Sequence, residues 1–272
     1  MVTLGLRRWV RISGKLALLA PAFLIGLPAQ WLALHLRATG AARHMPVIFH
    51  RYVLWAMGVR VERHGVPDRN RPLLIVANHL SWLDILVISS LFPVSFIAKS
   101  EVGEWPLFGT LARLQRSVFV ERARRGKTGE VNQAIATRMQ KGDAMVLFAE
   151  GTTSDGTRVL PFRSALIGAA QAATAGEGEA AFVQSLNIAY PQIGGLPVMR
   201  AEMPLIAWYG DMDLLPHLTD LLTLPGITAR IAFGETREVT PQSDRKALAR
   251  ALENEVRHSH VTAMSGRPRS GI

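Results

Sequence analysis

Residues Leu16 to Leu36 read LALLAPAFLIGLPAQWLALHL, 21 consecutive positions without a formal charge. About 20 predominantly apolar residues are enough to cross the hydrocarbon core of a bilayer. Arg7, Arg8, Arg11 and Lys15 precede the segment, as the positive-inside rule favours. Arg37, Arg43 and Arg51 follow it, so charge bias sets an orientation only weakly. Pro21 and Pro28 each remove a backbone donor within it. A cleaved secretory signal is a competing reading, with Ala20-Pro21-Ala22 imitating a cleavage site, but Leu16–Leu19 is too short for a signal's apolar core. A second apolar patch runs from Pro46 to Val59, with Tyr52 and Trp55 suited to the headgroup level. Two helices dipping into one leaflet explain these residues as well as a single span does, and a buried core helix is the third option. The expectation is a membrane-associated helical element over residues 1–59.

From about Arg60 the pattern changes. Short β-rich runs (Leu73–Ala77, Val94–Ala98, Val118–Val120, Met145–Phe148, Phe182–Tyr190 and Ile227–Phe233) alternate with helical stretches. Val131, Ile135 and Met139 recur at helical spacing before Gly142, and Leu248, Leu252 and Val256 do so within Asp244–His260. Phe162 to Ala175 is Ala-rich and reads as helix, ended by Gly176. Such alternation predicts an α/β domain over residues 60–262, a mainly parallel sheet flanked by helices. Residues 263–272 read as a flexible tail.

Composition narrows the chemistry. The chain of 272 residues has no cysteine, which excludes thiolate metal sites and a Cys nucleophile. Its 31 Lys and Arg against 21 Asp and Glu point to an anionic partner. A mean hydropathy of +0.17 favours a membrane over nucleic acid. The arginines are not interleaved with stacking aromatics as a nucleic-acid binder would need. No Gly-x-Ser-x-Gly elbow occurs for a serine hydrolase, and no His-Glu-x-x-His spacing for a metal.

Two motifs carry candidate chemistry. Leu73–Ala77 runs straight into Asn78-His79-Leu80-Ser81-Trp82-Leu83-Asp84. Ser81 is a plausible N-cap, with Asp84 three residues on in the capping-box position. His79 then leaves a strand where ligands bind in open α/β sheets, and Asp84 can orient its ring so that it acts as a base. An ordinary helix start with an exposed His is the alternative. The second motif, Phe148-Ala149-Glu150-Gly151-Thr152-Thr153-Ser154, ends another strand in an acid, a glycine and hydroxyls. It can shape a polar ligand site or simply cap a loop.

Together these blocks resemble the bacterial lysolipid acyltransferases related to 1-acylglycerol-3-phosphate acyltransferase. The Asn-His-x-x-x-x-Asp block is met by Asn78, His79 and Asp84. The block ending in Phe-(Ile/Val)-x-Arg is met by Phe119-Val120-Glu121-Arg122, and Lys99 and Pro106-x-x-Gly109 fit upstream. The Phe-Pro-Glu-Gly-Thr-Arg-Ser block is matched in part, and the proline-containing fourth strand is replaced by Val183-Gln184-Ser185. The resemblance covers about residues 70–190. It implies acyl transfer from an acyl carrier protein or coenzyme A thioester to a lysolipid hydroxyl, with no other cofactor and no metal. It makes His79 and Asp84 catalytic, and Lys99, Arg122, Glu150, Gly151, Thr152 and Thr153 substrate-binding. It also implies a membrane-embedding amino terminus, and a body on the cytoplasmic face of the bacterial inner membrane, where acyl donors are.

Thr153 stands where that family has an arginine thought to hold the acceptor's phosphate, and Thr cannot supply a planar cationic fork. Either Arg158 or Arg163 replaces the charge, or the acceptor has no phosphate. The Glu-Gly-Thr-Thr loop resembles the lyso-ornithine lipid acyltransferase branch, whose acceptor is a 3-hydroxy fatty acid linked to ornithine. Lysophosphatidate is the alternative acceptor. Arg113, Arg116, Arg122, Arg124 and Arg125 would suit an acidic carrier protein or anionic lipid, or form a solvated face. Trp105, Leu107, Phe108, Leu111 and Leu114 would form an interfacial wedge, an acyl tunnel or plain core.

Overall fold

The computed structural model describes residues 2–120, 128–174 and 180–265. Helix α1 (Val2–Pro21) passes through a π-helical turn (Ala22–Gly26) into α2 (Leu27–His35). Proline breaks the i to i−4 ladder, and the wider turn absorbs the missing bond. The chain folds back as α3 (Thr39–Met57), ended by Gly58 at φ 76°. Ile12, Leu19 and Ala22 pack inward. Trp9, Leu16, Leu24, Ile25, Trp31 and Leu32 are 48–76% exposed, and Ile48 and Trp55 extend this surface on α3. Arg8–His35 is long and apolar enough to cross a membrane. An unpartnered apolar surface of this size marks membrane association.

The body contains β1 (Val59–His64), β2 (Leu73–Ala77), α4 (Leu83–Ser89), β3 (Ser95–Lys99), α5 (Phe108–Leu114), β4 (Val118–Val120), α6 (Thr128–Gln140) and β5 (Met145–Phe148). Then come α7 (Gly168–Ala172), β6 (Ala181–Ile193), β7 (Leu196–Pro197), α8 (Leu214–Thr223), β8 (Ile227–Val239) and α9 (Arg245–Met264). Sheet order is β1-β8-β6-β2-β5-β3-β4, with β7 folded back on β6. The run β6-β2-β5-β3-β4 is parallel, whereas β8 pairs antiparallel with β6 and β1 runs with β8. The sheet is therefore mainly parallel, as expected, with a reversed pair at one side.

Period-two alternation divides the core. Leu73, Ile75 and Ala77 face a layer built from α1, α3, α4 and α8, and Leu74 and Val76 face α6, α7 and α9. Because β2 is covered on both faces, all five of its residues are buried and it reads as one apolar run. Ile135 and Met139 of α6 and Leu252 and Val256 of α9 fill the second layer, at the helical spacing seen in the sequence. Asp244 caps α9 by accepting from the Lys246 and Ala247 N–H groups. Other elements differ from expectation. The Ala-rich stretch is shorter, a 3-10 turn at Ser164–Ile167 followed by α7, while Ala175 and Gly176 lie outside the described residues. Edge strand β1 was not apparent because Arg60, Glu62 and Arg63 break its apolar pattern.

At the amino ends of the parallel strands a single carboxylate gathers two helices and a turn. Asp143 enters β5 with its side chain 5% exposed. Arg116 donates at 2.6 and 2.8 Å, Arg138 at 2.7 Å, and Arg43 of α3 stands at 3.1 Å. Burial alone would raise this carboxyl, but the hydrogen bonds and charges of Arg116 and Arg138 hold it below the usual carboxylate range. Arg116 is thus committed to Asp143 rather than to an open basic surface. Arg113 is exposed, bonded to the Gly103 carbonyl; Arg124 and Arg125 lie outside the described residues. Of the apolar group around α5, Trp105 and Leu107 are 41% and 53% exposed and Leu114 is buried. The turn before α5 brings Gly109 so close to the Gly103 carbonyl that a Cβ would collide with it.

Candidate active site

The opposite edge of the same strands carries both motifs. Where β2 ends, the Asn78 side chain continues its ladder: Nδ2 donates to Ile188 O at 2.9 Å and Oδ1 accepts from Ile188 N at 2.8 Å. A primary amide can replace a backbone rung because it offers one donor and one acceptor side by side. The main chain is thereby released from the sheet at His79 while still anchored to β6. The loop after β5 then takes both backbone groups of His79. The Glu150 Oε1 accepts its N–H at 3.0 Å, and the Ser154 N–H donates to its carbonyl at 2.8 Å.

The His79 ring lies flat on Phe148, centroids 3.8 Å apart and 10° from parallel, with Phe96 stacked behind. Its Nδ1 is 2.8 Å from Asp84 Oδ2. That oxygen also accepts the N–H groups of Leu80 at 2.7 Å and Ser81 at 2.9 Å, while Oδ1 accepts the Tyr190 hydroxyl at 2.6 Å. Every other partner of Asp84 is a donor, so Nδ1 carries the ring proton and Nε2 the lone pair. Asp84 is fully buried and the imidazole is 18% exposed. Burial, reinforced by the adjacent Asp84 charge, raises Tyr190 well above the ordinary phenol range, which keeps it a donor. The dyad is therefore a fixed ring with one basic nitrogen left over.

The helix start expected at Ser81 is present in altered form. Asp84 accepts the Ser81 N–H as the third residue of a capping box does, but α4 begins at Leu83 and Ser81 Oγ is 3.4 Å from the Leu83 N–H. Ser81 is fully buried, so it offers no exposed nucleophile for a hydrolase.

Glu150 sits beneath His79 rather than at the open edge, 2% exposed. Among the described residues its buried Oε2 has no partner within good hydrogen-bond geometry. Burial pushes this carboxyl up to about 8, against the lowering effect of the His79 and Leu160 N–H groups. Gly151 turns the chain at φ +75°, a conformation a Cβ would strain, and its N–H is taken by the Phe148 carbonyl at 3.2 Å. A backbone oxyanion donor at Gly151 itself is thus already committed. Thr152 is exposed and Thr153 half-buried beside it. A Cβ on Gly151 would meet the Arg163 guanidinium at 3.1–3.3 Å, so Arg163 covers the loop where the family arginine is missing. Arg158 is exposed further along that loop. Lys99 ends β3 exposed at the same sheet edge. Arg122 lies outside the described residues, two positions beyond the end of β4. Tyr190 was not singled out from sequence: it sits on β6, 106 residues from the aspartate it serves, with no local motif around it.

Comparison with known proteins shows the family. Residues 58–189 match the Acyltransferase family. The chain is 50% identical to a lyso-ornithine lipid O-acyltransferase of Brucella abortus, over 95% of this chain and 97% of that one. The chain belongs to the acyltransferase family, in its lyso-ornithine lipid O-acyltransferase branch. A 1-acyl-sn-glycerol-3-phosphate acyltransferase of Neisseria meningitidis is 31% identical over 76% of this chain and 77% of its own length. The crystal structure of the 1-acyl-sn-glycerophosphate acyltransferase PlsC from Thermotoga maritima shares the fold, with a TM-score of 0.54 at 19% identity, covering 91% of this chain and 98% of that one. As a member of this family the chain is an acyltransferase acting on a lysolipid, and the motifs His79–Asp84 and Glu150–Ser154 lie inside the matched region.

Proposed function

We propose that this acyltransferase esterifies the hydroxyl of lyso-ornithine lipid, using an acyl carrier protein or coenzyme A thioester as donor. The observation that carries the reading is the His79 ring, tied through Nδ1 to a buried Asp84 and lacking any other hydrogen bond among the described residues. Nε2 removes the proton of the acceptor hydroxyl as its oxygen attacks the thioester carbonyl. Asp84 stabilises the imidazolium that forms, and Tyr190 and the Leu80 and Ser81 N–H groups hold Asp84 in place. Collapse of the tetrahedral intermediate expels the thiolate, which regains its proton from His79. The product is an ester and a free thiol, with no acyl-enzyme.

Lys99 and Arg122 supply positive charge toward the donor or headgroup. The acidic carrier protein is drawn by the chain's net charge of +10. Thr152 and Thr153 offer hydroxyls, not a cationic fork, to a headgroup without phosphate. Arg163 over Gly151 is the observation favouring the second reading, lysophosphatidate as acceptor. The catalytic body works on the cytoplasmic face of the inner membrane, with the exposed apolar surface of α1–α3 in the bilayer.

The test offers labelled acyl carrier protein to membranes containing the enzyme, with each acceptor in parallel. Product from lyso-ornithine lipid alone supports the proposal, and Thr153→Arg should then bring in lysophosphatidate. Product from lysophosphatidate alone refutes it and points to Arg163.

A further inference from the structure

Away from the His79 site, α3 and the free edge of β1 enclose a groove of about 470 Å³. Arg51, Arg60 and Arg63 line it together with Leu54, Trp55 and Leu91. Among the described residues Arg51 and Arg63 have no carboxylate partner, and Arg60 has only one long, exposed ion pair. Arg51 donates only to the Ser90 and Leu91 carbonyls, at 2.7 and 3.4 Å. Arg60 pairs with Glu62 Oε1 at 3.8 Å, while Arg230 takes Oε2 of the same carboxylate at 2.9 and 3.1 Å, so two guanidiniums share one charge. Arg63 is exposed and has no ion pair among the described residues. Cationic walls beside apolar ones match a ligand with an anionic head and a hydrocarbon body.

The groove also lies at the membrane surface of the molecule. Arg51 stands between Ile48 and Trp55 on one face of α3, at helical spacing. Ile48 and Trp55 are 67% and 63% exposed and continue the apolar surface of α1 and α2. A tryptophan at this position suits the headgroup level, where a phosphate would meet the arginines. None of the residues lining the groove belongs to the His79 site.

We infer that this groove binds an anionic phospholipid of the host bilayer, its phosphate taken by Arg51, Arg60 and Arg63 and its hydrocarbon end by Trp55 and Leu91. The lipid is neither donor nor acceptor; it seats the enzyme in one leaflet and fixes its depth. The occupant is a lipid and not a free anion because half the lining residues are apolar and the groove adjoins the exposed Ile48 and Trp55.

The experiment compares the full chain with Arg60→Gln/Arg63→Gln, both positions being exposed and outside the catalytic machinery. Binding is read by flotation with phosphatidylcholine vesicles, with and without phosphatidylglycerol. A control pair, Arg245→Gln/Arg250→Gln on α9, removes the same charge elsewhere. The groove variant should lose about fivefold in affinity per charge for the anionic vesicles, about 25-fold for the pair, and little for neutral ones. Trp55→Ala should weaken binding to the anionic vesicles as well. Native mass spectrometry of the detergent-purified enzyme should find one retained phosphatidylglycerol in the wild type and none in the groove variant. Equal losses in both pairs would overturn the site in favour of a diffuse field, and so would retention of phosphatidylcholine as readily as phosphatidylglycerol. Displacement of the lipid by inorganic phosphate at equal concentration would overturn the lipid as its ligand.

Discussion

The two edges of the parallel strands each carry a buried aspartate, and the partners differ. At the carboxyl ends Asp84 receives two backbone N–H groups, a phenol and one imidazole. At the amino ends Asp143 receives three guanidiniums. Guanidinium keeps its proton at any pH a protein survives, so the Asp143 cluster can lock α3, α6 and the turn before β4 but can transfer nothing. Imidazole has a second ring nitrogen that can take up a proton, so the Asp84 cluster can do chemistry while its neutral donors hold it still. The same carboxylate thus serves as a bolt or as half of a base, according to whether its partner can only donate or can also accept a proton.

Substitutions should separate those roles. His79→Ala should lower acyl transfer by at least about 10³-fold at a cost of only about 1–2 kcal/mol in stability, since it removes the base and, with Nδ1, one donor to Asp84. Loss of folding together with activity would make His79 structural. At the other edge Asp143→Asn should behave in reverse. It should cost about 2–3 kcal/mol in denaturant unfolding, because three half-buried arginines lose their one buried anion, with turnover per folded molecule retained. Asp143 titrates below the usual range in the folded chain. Its contribution is therefore present above the unfolded carboxylate value, and acid should remove it as pH falls through the lowered one.

Glu150 tests whether the catalytic edge contains strain that the locking edge lacks. Its folded value of about 8 lies above the ordinary 4.5, so the protein is favoured by its neutral form. That stability is complete below the unfolded value and is lost as pH rises through the folded one. Glu150→Gln should flatten the stability profile between those limits, an effect on the order of a few kcal/mol at its alkaline end. An unchanged profile would show the carboxyl to be solvated. The smallest expected effect is that of Tyr190→Phe, which removes one donor from Asp84. Stability should fall by about 1–2 kcal/mol, with turnover reduced about tenfold. Intact turnover would mean that the backbone N–H groups alone position Asp84.

Much of the site was legible along the chain because its key pair is local. His79 and Asp84 lie five residues apart on a strand exit and a helix start, and their geometry follows from that connection. The loop from Glu150 was visible as a motif, but its acid was read as facing a substrate. Only the pairing of β2 with β5 puts Glu150 under the His79 N–H. Tyr190 and the Asn78–Ile188 rung were not legible, since each is a contact between residues more than a hundred positions apart. Arg116 was read as surface charge because sequence shows charge but not the buried carboxylate it faces.

The amino-acid sequence by itself determined the apolar amino terminus, the α/β alternation and the His79–Asp84 spacing, since each depends on the period or order of nearby residues. Tertiary structure alone decided which strands are neighbours, and with them which carboxylate stands beside an imidazole and which beside arginines. Proximity between distant segments comes from how two apolar layers close around one sheet, and no local pattern encodes it.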